Sequence, residues 1–232
     1  MPKVKQRCVN LQVLKMINNT SLNKRLLIIG AGGHGRVVAD CAEQLNQYDD
    51  IAFLDDCFDE QVQDTQYSSH WSIIGKVALW SSYVSGTDFI VAFGDNKLRL
   101  TTHKCLLAGD ANLVSIIHPS AVISQYAEIG QGSVVCAGAV VNLDCVIGEA
   151  CIINTAASVD HDCHIADGVH ISPNVSLAGG VNIGELSWLG IGSTIIQYLT
   201  LAANCQIGAG SVVISHIEQA GVYVGNPVRK LT

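Results

Sequence analysis

Large aromatic side chains are scarce in this chain, since Phe, Trp and Tyr together make up 6% of its 232 residues. Hydrophobic residues of all kinds nevertheless account for 49%. The interior must therefore be filled mainly by Val, Ile, Leu, Ala and Cys, which suits a narrow core better than a bulky one. At this length the chain can form one large domain or two modest ones.

Long apolar runs and an excess of positive charge are also missing. No hydrophobic stretch reaches the roughly 18 to 20 residues that a membrane-spanning helix needs, so no membrane span is predicted. The formal net charge of −7 argues against a nucleic-acid backbone or an anionic membrane as partner. The N-terminus is basic, but Asn10, Gln12 and Lys15 interrupt the apolar core that a secretory signal would need. We therefore expect a cytoplasmic protein.

The chain has nine cysteines, but their spacing shows no pattern typical of disulfides or zinc sites. None forms a C-x-x-C pair, and an odd number in a chain of this length is a poor disulfide framework. No metal site is predicted. We expect the cysteines to act as small buried side chains in a reducing compartment.

What the sequence has instead is a repeat of six residues that runs without a gap from Ala121 to His216. The third position is Ile, Val or Leu in all 16 hexads, and the first position is small or β-branched in nearly all of them. A helix would need a period near 3.6, and an ordinary strand a period of 2. A strict period of six predicts short parallel strands joined by tight corners and coiled into a parallel β-helix.

The sequence before the repeat predicts a different architecture, in which strands and helices alternate. Residues 1–24 show no strong pattern and are expected to form an N-terminal extension. Strands are predicted at 25–29, 51–54, 88–93 and 113–117, and helices at 36–47 and 97–107. This alternation is typical of a small parallel α/β domain. We therefore divide the chain into the extension, an α/β domain over 25–117 and a β-helix domain with a C-terminal tail over 118–232.

The turn between the first predicted strand and helix carries the pattern Gly30-x-Gly32-x-x-Gly35. Glycines let a backbone approach a pyrophosphate, and the helix N-terminus offers free N–H groups and the positive end of a dipole. The acidic pair Asp55-Asp56 follows about 20 residues later, where a nucleotide ribose would be held. The loop therefore predicts a nucleotide-containing ligand. NAD is less favoured, because a β-helix does not obviously provide a domain for hydride chemistry.

Histidines stand out in the repeat, whose corners are otherwise mostly Gly, Asn, Ser and Ala. His161 lies between Asp160 and Asp162, and a carboxylate can orient an imidazole and raise its basicity. His161 is therefore the candidate general base, whereas His164 is interpreted as a solvated corner residue. His170 comes nine residues after His161. One coil takes 18 residues, so a spacing of nine residues places the two histidines on different sides of the predicted β-helix. They could still meet across a subunit interface.

Several segments of the chain agree in order and spacing with a known family. They are LLIIGAGGHGRVVAD (26–40), AFLDD (52–56), VAFGDN (91–96), HPSAVIS (118–124), NTAASVDHDCHI (154–165) and GVYVGNPVRKL (221–231). On these segments the chain resembles the sialic-acid-O-acetyltransferase-like sugar acyltransferases, which are hexapeptide-repeat transferases. Within them it is most similar to the bacterial N-acetyltransferases that act on UDP-linked 4-amino-4,6-dideoxy sugars in bacillosamine-type biosynthesis.

The resemblance implies an architecture, a co-substrate and an assembly. The N-terminal domain would be Rossmann-like and hold a nucleotide-linked amino sugar. The repeat would form a left-handed parallel β-helix that binds acetyl-CoA. The chains would assemble as a homotrimer with active sites between neighbouring β-helices.

The resemblance also implies roles for individual residues. His161 matches the catalytic base, and Asp162 stands where the family usually has a Glu that orients the base, so Asp160 remains an alternative partner. The residues that match the nucleotide-sugar site are Gly32, Gly33, His34, Asp55, Asp56, Gly94 and Asn154. The residues that match the acetyl-CoA site are His170, Gly179, Gly190 and Gly208.

The implied reaction moves the acetyl group of acetyl-CoA to the C4 amine of a UDP- or dTDP-linked 4-amino-4,6-dideoxy sugar. The amine would attack the thioester directly in a ternary complex, with His161 as general base and no covalent acyl-enzyme. Three other interpretations stay open. They are an O-acetyltransferase of the same fold acting on a sugar hydroxyl such as that of sialic acid, an NAD-dependent oxidoreductase, and a non-catalytic trimeric scaffold.

Overall fold

The computed structural model of the chain describes residues 24–58 and 70–231. The expected N-terminal extension lies outside the described residues, apart from Lys24. The described part forms a five-stranded parallel α/β sheet followed by a β-helix of three further sheets. The predicted fold class, a small α/β domain followed by a left-handed parallel β-helix, is confirmed. Within these two ranges, no helix combines the length and the apolar character of a membrane span.

The first unit alternates strands and helices, as the sequence predicts. Its elements are β1 (Arg25–Ile29), α1 (Gly33–Gln44), β2 (Asp50–Leu54), β3 (Ile73–Gly75), a 3-10 helix (Val77–Tyr83), β4 (Thr87–Val91), α2 (Asn96–Ala108) and β5 (Asn112–Leu113). All five strands are parallel and lie in the order β3-β2-β1-β4-β5. The order turns back between β1 and β4. The loops that follow these two strands therefore border the crevice in which such sheets bind ligands.

Helix α1 begins earlier than the sequence predicts. Its first residue is Gly33 and its last is Gln44, whereas the hydrophobic pattern indicated a helix over 36–47. Gly35 is buried against the carbonyl group of Gly30, where any larger side chain would collide. Packing against the strand, rather than helix propensity, thus places these glycines in the first turn.

The single strand expected over 113–117 is wrong. Asn112–Leu113 completes the α/β sheet, whereas Ile116–Ile117 already pairs with Val134–Val135 of the β-helix. A continuous apolar run cannot reveal on which of two sheets each half of it pairs, because both sheets bury aliphatic side chains.

The β-helix has three faces, each of which is one sheet. Face 1 consists of Ile116–Ile117, Val134–Val135, Ile152–Ile153, His170–Ile171, Trp188–Leu189, Cys205–Ile207, Gly221–Val224 and Arg229–Lys230. Face 2 consists of Val122–Ile123, Val140–Val141, Ser158–Val159, Ser176–Leu177, Thr194–Ile195 and Val212–Val213. Face 3 consists of Glu128–Ile129, Val146–Ile147, His164–Ile165, Asn182–Ile183 and Thr200–Leu201. In successive coils each residue lies beside the residue 18 positions further on, as Ile152 beside His170.

The corners of the β-helix turn through residues with left-handed backbone conformation. Corner I, between faces 1 and 2, includes 154–156, 172–174, 190–192 and 208–210; corner II, between faces 2 and 3, includes 142–144, 160–162, 178–180 and 196–198; corner III, between faces 3 and 1, includes 148–150, 166–168 and 184–186. From Gly132 to Gly210 every sixth residue has a φ between 50° and 73°. Leu186 and Tyr198 also adopt this left-handed conformation, which costs roughly 1–3 kcal/mol of stability at each residue. Backbone hydrogen bonds between the stacked coils hold them there.

Aliphatic side chains at the third position of the hexads fill the interior, together with small ones at the first position. The cysteines at first positions are buried, as predicted: Cys145, Cys151, Cys163 and Cys205. The Cys145 thiol donates to the carbonyl oxygen of Asp160 at 2.9 Å, and the Ser187 hydroxyl donates to that of Ala202 at 3.1 Å. At these first positions a short side chain with one donor thus bonds a backbone carbonyl group of the next hexads, a role that either Cys or Ser can fill.

Helix α1 joins the two units. Its buried residues Val38 and Cys41 pack in one hydrophobic cluster with Ile28 of the sheet and with Ile116 and Val134 of face 1. The α/β unit therefore rests on face 1, and the loops at the carboxyl ends of its strands lie beside the β-helix.

Candidate functional site

The glycine-rich loop lies at the carboxyl end of β1, beside the crevice that the sheet order predicts. Gly30 has a φ of +104°, and a side chain there would strike the ring of Phe93. An added Cβ on Gly32 or Gly33 meets nothing within 4 Å, so their backbone is open to a ligand. Gly32 is the N-cap of α1 and has no side chain to cap the N–H groups of the first turn. These N–H groups can bind an anion such as a phosphate.

The acidic pair follows β2, and its carboxylates accept hydrogen bonds from backbone amides. Asp55 accepts from the N–H of Ala31 at 2.7 Å and from that of Cys57 at 2.8 Å. Asp56 accepts from the N–H of Val77 at 3.1 Å. Asp55 therefore holds the glycine-rich loop in place from the neighbouring strand, whereas Asp56 is tied to the 3-10 helix.

Two histidines from different units face each other. The ring centroids of His34, in α1, and His170, on face 1, are 6.4 Å apart. The Asn154 Nδ2 is 3.2 Å from the His170 Nε2 and donates to it. Burial, assisted by the positive charge of Arg99, lowers the pKa of His34 to about 4 and that of His170 to about 3, so both rings are neutral at neutral pH. The His34 Nε2 and the His170 Nδ1 are buried without a hydrogen-bond partner among the described residues.

A cleft of about 500 Å³ opens between the α/β unit and face 1. One wall is the segment 94–97 that follows β4, and the opposite wall includes His170 and Trp188. The Trp188 ring stacks on His170 with centroids 5.6 Å apart and planes 2° apart, and its Nε1 donates to the Ser172 hydroxyl at 2.7 Å. The predicted substrate residue Gly94 and the predicted cofactor residue His170 therefore line the same cleft.

His161 lies in corner II with 41% of its side chain exposed. Its Nδ1 is 2.6 Å from the Asp162 Oδ2, which fixes the ring and leaves Nε2 with a lone pair that can accept a proton. The hydrogen bond to Asp162 raises the pKa of His161, and the charge of Asp160 acts in the same direction. The Asp160 carboxylate itself accepts from the backbone N–H of His161 at 2.9 Å and from the Asn142 amide at 3.0 Å. Asp162 is therefore the residue that contacts the imidazole.

The three glycines expected at the cofactor site lie on two different corners. Gly179 stacks on His161 in corner II, where an added Cβ would lie 2.5 Å from the Cε1 and Nε2 of the ring. Gly190 and Gly208 succeed each other in corner I, and an added Cβ on Gly190 would lie 2.6 Å from the carbonyl oxygen of Ile207. Gly179 thus makes room for the imidazole, whereas Gly190 allows successive coils to approach each other closely.

Within one chain the predicted site residues form two separate groups. The cleft group lies on face 1, corner I and the loops of the α/β unit, and comprises Gly32, Gly33, His34, Asp55, Asp56, Gly94, Asn154, His170, Gly190 and Gly208. The His161 group lies on corner II, and comprises His161, Asp162 and Gly179. The structure does not bring His161 and His170 together, in agreement with their separation by half a coil.

The sequence patterns do not identify two further residues, one that lines the cleft and one that is buried behind it. Trp188 is the single tryptophan of the repeat and stands at the outward-facing second position of its hexad, which is a signal that could have identified it. Arg99 is fully buried behind the cleft. No signal marks Arg99, because an isolated arginine in a helix is usually exposed.

Comparison with known proteins places these features in a family. The family described as the PglD N-terminal domain matches residues 25–106. UDP-N-acetylbacillosamine N-acetyltransferase of Bacillus subtilis (strain 168) is 34% identical over 111 residues, which is 47% of this chain. The chain spans 50% of the length of that curated relative.

Two solved structures are similar over most of the chain. The acetyltransferase domain of PglB from Neisseria gonorrhoeae FA1090 in complex with acetyl-coenzyme A is 40% identical, with a TM-score of 0.84 over 90% of this chain and 100% of that one. A mutant of perosamine N-acetyltransferase from Caulobacter crescentus in complex with CoA and GDP-perosamine is 32% identical, with a TM-score of 0.82 over 89% of this chain and 96% of that one. All three named relatives are acetyltransferases, which favours acetyl transfer over the oxidoreductase and scaffold interpretations. The chain belongs to the bacillosamine-type family of sugar N-acetyltransferases.

Proposed function

We propose that the chain transfers the acetyl group of acetyl-CoA to the C4 amine of a UDP- or dTDP-linked 4-amino-4,6-dideoxy sugar. The observation that carries the proposal is the hydrogen bond of 2.6 Å between His161 and Asp162, which fixes an exposed imidazole and leaves its Nε2 free. The relatives support the reaction class. The Neisseria domain binds acetyl-CoA, and the Caulobacter enzyme binds CoA together with GDP-perosamine.

The reaction needs a base because the attacking amine loses a proton when it becomes an amide. The amine nitrogen attacks the thioester carbonyl, the C–N bond forms, and the proton passes to the His161 Nε2. Collapse of the tetrahedral intermediate breaks the C–S bond, and His161 returns the proton to the CoA thiolate. General-base assistance is typically worth about 10² to 10⁴-fold in rate. A backbone N–H beside the thioester would stabilise the oxyanion and contribute about 10² to 10³-fold.

The α/β unit is proposed to hold the nucleotide. The open backbone of Gly32 and Gly33 and the first-turn N–H groups of α1 suit a diphosphate. Asp55 keeps this loop in place, and the neutral imidazole of His34 can donate to or accept from the ligand. The sugar would then extend into the cleft lined by Gly94.

Acetyl-CoA is proposed to bind between corner I of one chain and corner II of a neighbouring chain. The pantetheine arm is proposed to run along corner I beside Gly190 and Gly208, where successive coils approach each other closely. On corner II, Gly179 leaves the space that the His161 imidazole occupies. The thioester would lie at this point, within reach of an amine delivered from the cleft.

A complete site on this proposal requires more than one chain, which supports a homotrimer. His161 lies on corner II, whereas the cleft group lies on face 1, corner I and the loops of the α/β unit. One chain alone therefore cannot present the base to the sugar. Leu143 and Tyr198 lie in the same corner as His161 and are 48% and 68% exposed. Apolar side chains of this size are favourably covered by a protein partner. A closed cyclic assembly would place each corner II against the next chain.

A thiol-release assay tests the proposed function. We expect acetyl-CoA to release CoA in the presence of a UDP- or dTDP-linked 4-amino-4,6-dideoxy sugar, and the sugar to gain one acetyl group by mass spectrometry. Free sialic acid and GDP-perosamine serve as comparison acceptors. Release with sialic acid alone would make the chain an O-acetyltransferase, and preference for GDP-perosamine would correct the nucleotide. Release with none of these acceptors would contradict the proposal.

A further inference from the structure

Arg99 is among the largest side chains that the structure buries completely. It lies in the first turn of α2, directly after the cleft-lining segment 94–97. Burial lowers the pKa of Arg99 to about 10, so the guanidinium stays charged at neutral pH. A buried charge is expensive unless its donors are bonded. Among residues 24–58 and 70–231, its guanidinium makes five hydrogen bonds, and all of them go to neutral oxygen atoms.

On one side Arg99 binds the loop that forms a wall of the cleft. Its Nη1 donates to the carbonyl oxygen of Phe93 at 2.9 Å and to that of Gly94 at 3.4 Å. Its Nη2 donates to the Asn96 Oδ1 at 2.9 Å. The guanidinium thus bonds three of the five residues that lie between the end of β4 and Lys97, the second residue of α2.

On the other side Arg99 and Asn96 bind a ladder of carbonyl groups on corner III. The Arg99 Nε donates to the carbonyl oxygen of Ala150 at 2.8 Å, and its Nη2 donates to that of Gly168 at 2.9 Å. The Asn96 Nδ2 donates to the carbonyl oxygen of Leu186 at 3.1 Å. Ala150, Gly168 and Leu186 succeed one another at intervals of 18 residues, and all three have left-handed φ values. The cleft loop is thereby bonded to three successive coils.

The charge of Arg99 also acts on the two imidazoles of the cleft. It is the second cause, after burial, of the low pKa of both His34 and His170. The other charged groups that line the cleft are Asp95 and Lys97. His34 and His170 also face each other, so that protonation of one opposes protonation of the other.

We infer that Arg99 is a positioning residue, which locks the Gly94 loop onto corner III and sets a permanent positive charge behind His34 and His170. Its side chain is fully buried, so it acts by holding the cleft loop in place, and its charge adds to the effect of burial in opposing protonation of both imidazoles. This inference deepens the proposed function and rests on it only for the identity of the ligand.

Two measurements without substrate test the inference on the full chain. In NMR titrations of the imidazole nitrogens, Arg99→Met should move the protonation of both His34 and His170 to higher pH. In hydrogen exchange, Arg99→Lys should increase exchange of the amides of the Gly94 loop, because an ammonium group cannot reach five acceptors. The matched control is Lys104→Met, which removes a cation and a contact with Glu185 of the β-helix from the same helix. It should leave both readouts unchanged.

Kinetics complete the test once the acceptor is known. Arg99→Lys should raise the KM for the nucleotide sugar about tenfold and leave kcat and the KM for acetyl-CoA within about twofold. The inference is overturned if Arg99→Lys keeps the loop amides protected, or if Lys104→Met shifts the imidazoles as far as Arg99→Met. If Arg99→Met does not fold, Arg99→Lys alone decides through hydrogen exchange. A chain that acetylates no nucleotide sugar would refute the proposed function. The titrations and the hydrogen exchange would still test the role of Arg99, because they need no substrate.

Discussion

The imidazole of His161 covers the Cα of Gly179, which occupies the same position of the next coil. An alanine Cβ at Gly179 would lie 2.5 Å from the Cε1 and Nε2 of that ring, so the glycine leaves the space that the imidazole occupies. We expect Gly179→Ala to push the base out of place and to lower kcat by about 100-fold, since small displacements of reacting groups have effects of that size. Steady-state kinetics with the amino-sugar acceptor measure the loss.

The control for this change is Gly138→Ala, at a corner glycine where an added Cβ meets nothing within 4 Å. Its left-handed φ of 68° resembles those at which Ala150 and Ala156 already stand. Gly138→Ala should cost roughly 1 kcal/mol of stability and little activity. Wild-type turnover in Gly179→Ala would show that the imidazole has room to move.

The acid limb of the pH–rate profile should follow the pKa of His161. The hydrogen bond that the ring of His161 donates to the Asp162 carboxylate raises this pKa, and a general base works only when it is unprotonated. Asp162→Asn removes the carboxylate, so the acid limb of kcat/KM should move to lower pH. The plateau should fall by about 10- to 100-fold, because the base is weaker and its ring is less firmly held. Asparagine tolerates the left-handed φ of 59° at this position, so the backbone should persist.

Asp160→Asn is the matched control for Asp162→Asn. Asp160 influences His161 through its charge, without contacting the ring nitrogens, so the acid limb should move less. An acid limb that does not move in Asp162→Asn would exclude His161 as the titrating base.

A site shared between chains should show complementation between inactive variants. Chains that carry His161→Ala retain the cleft, and chains that carry His170→Ala retain the base. Subunits mixed in equal amounts and reassembled should regain about a quarter of wild-type activity, because one pairing in four joins an intact cleft to an intact base. Each variant alone is the control. Absence of recovery in mixed assemblies of confirmed composition would place the whole site within one chain.

Stability should fall as the pH decreases from neutrality, because burial lowers the pKa of His34, His103 and His170. The pKa is about 4 for His34 and about 3 for His170, against 6.5 for an exposed imidazole. Below pH 6.5 these imidazoles bind protons in the unfolded chain but not in the folded chain. The difference in bound protons persists until the pH falls to the pKa that each imidazole has in the folded chain. Each ring then removes up to about 1.4 kcal/mol of unfolding free energy per pH unit.

Urea unfolding between about pH 7.5 and 5, at one protein concentration, measures this slope. His170→Gln should make the slope shallower. His164→Gln, on the exposed side of face 3, is the matched control. A slope that His170→Gln does not alter would mean that the buried ring is protonated in the folded state.

Much of the fold follows from the hexads, because one aliphatic residue in every six dictates which side of each short strand faces inward. The prediction could not foresee that Leu186 and Tyr198 would turn corners with positive φ, a conformation that their own side chains disfavour. Stacking between coils imposes it, and such contacts are not local in sequence. The division of the predicted strand over 113–117 between two sheets has the same origin.

A candidate site could be proposed from sequence where chemistry leaves a local signature and not where it depends on packing between the units. Acidic neighbours indicated His161 as a candidate base, and the structure shows that Asp162 contacts its ring whereas Asp160 bonds its backbone N–H. The spacing of nine residues also predicted that His161 and His170 lie on different sides of the β-helix. Arg99 could not be found, because its partners lie 51 and 69 residues away on another unit.

The most direct test of the account is the turnover of His161→Ala with acetyl-CoA and the preferred nucleotide-linked amino sugar. The side chain is exposed, so the melting temperature of the variant should stay at the wild-type value. We predict that kcat falls by about 10² to 10⁴-fold while both KM values change little. A folded His161→Ala chain with wild-type turnover would contradict the account, because the acetyl transfer would then proceed without the base on which it is built.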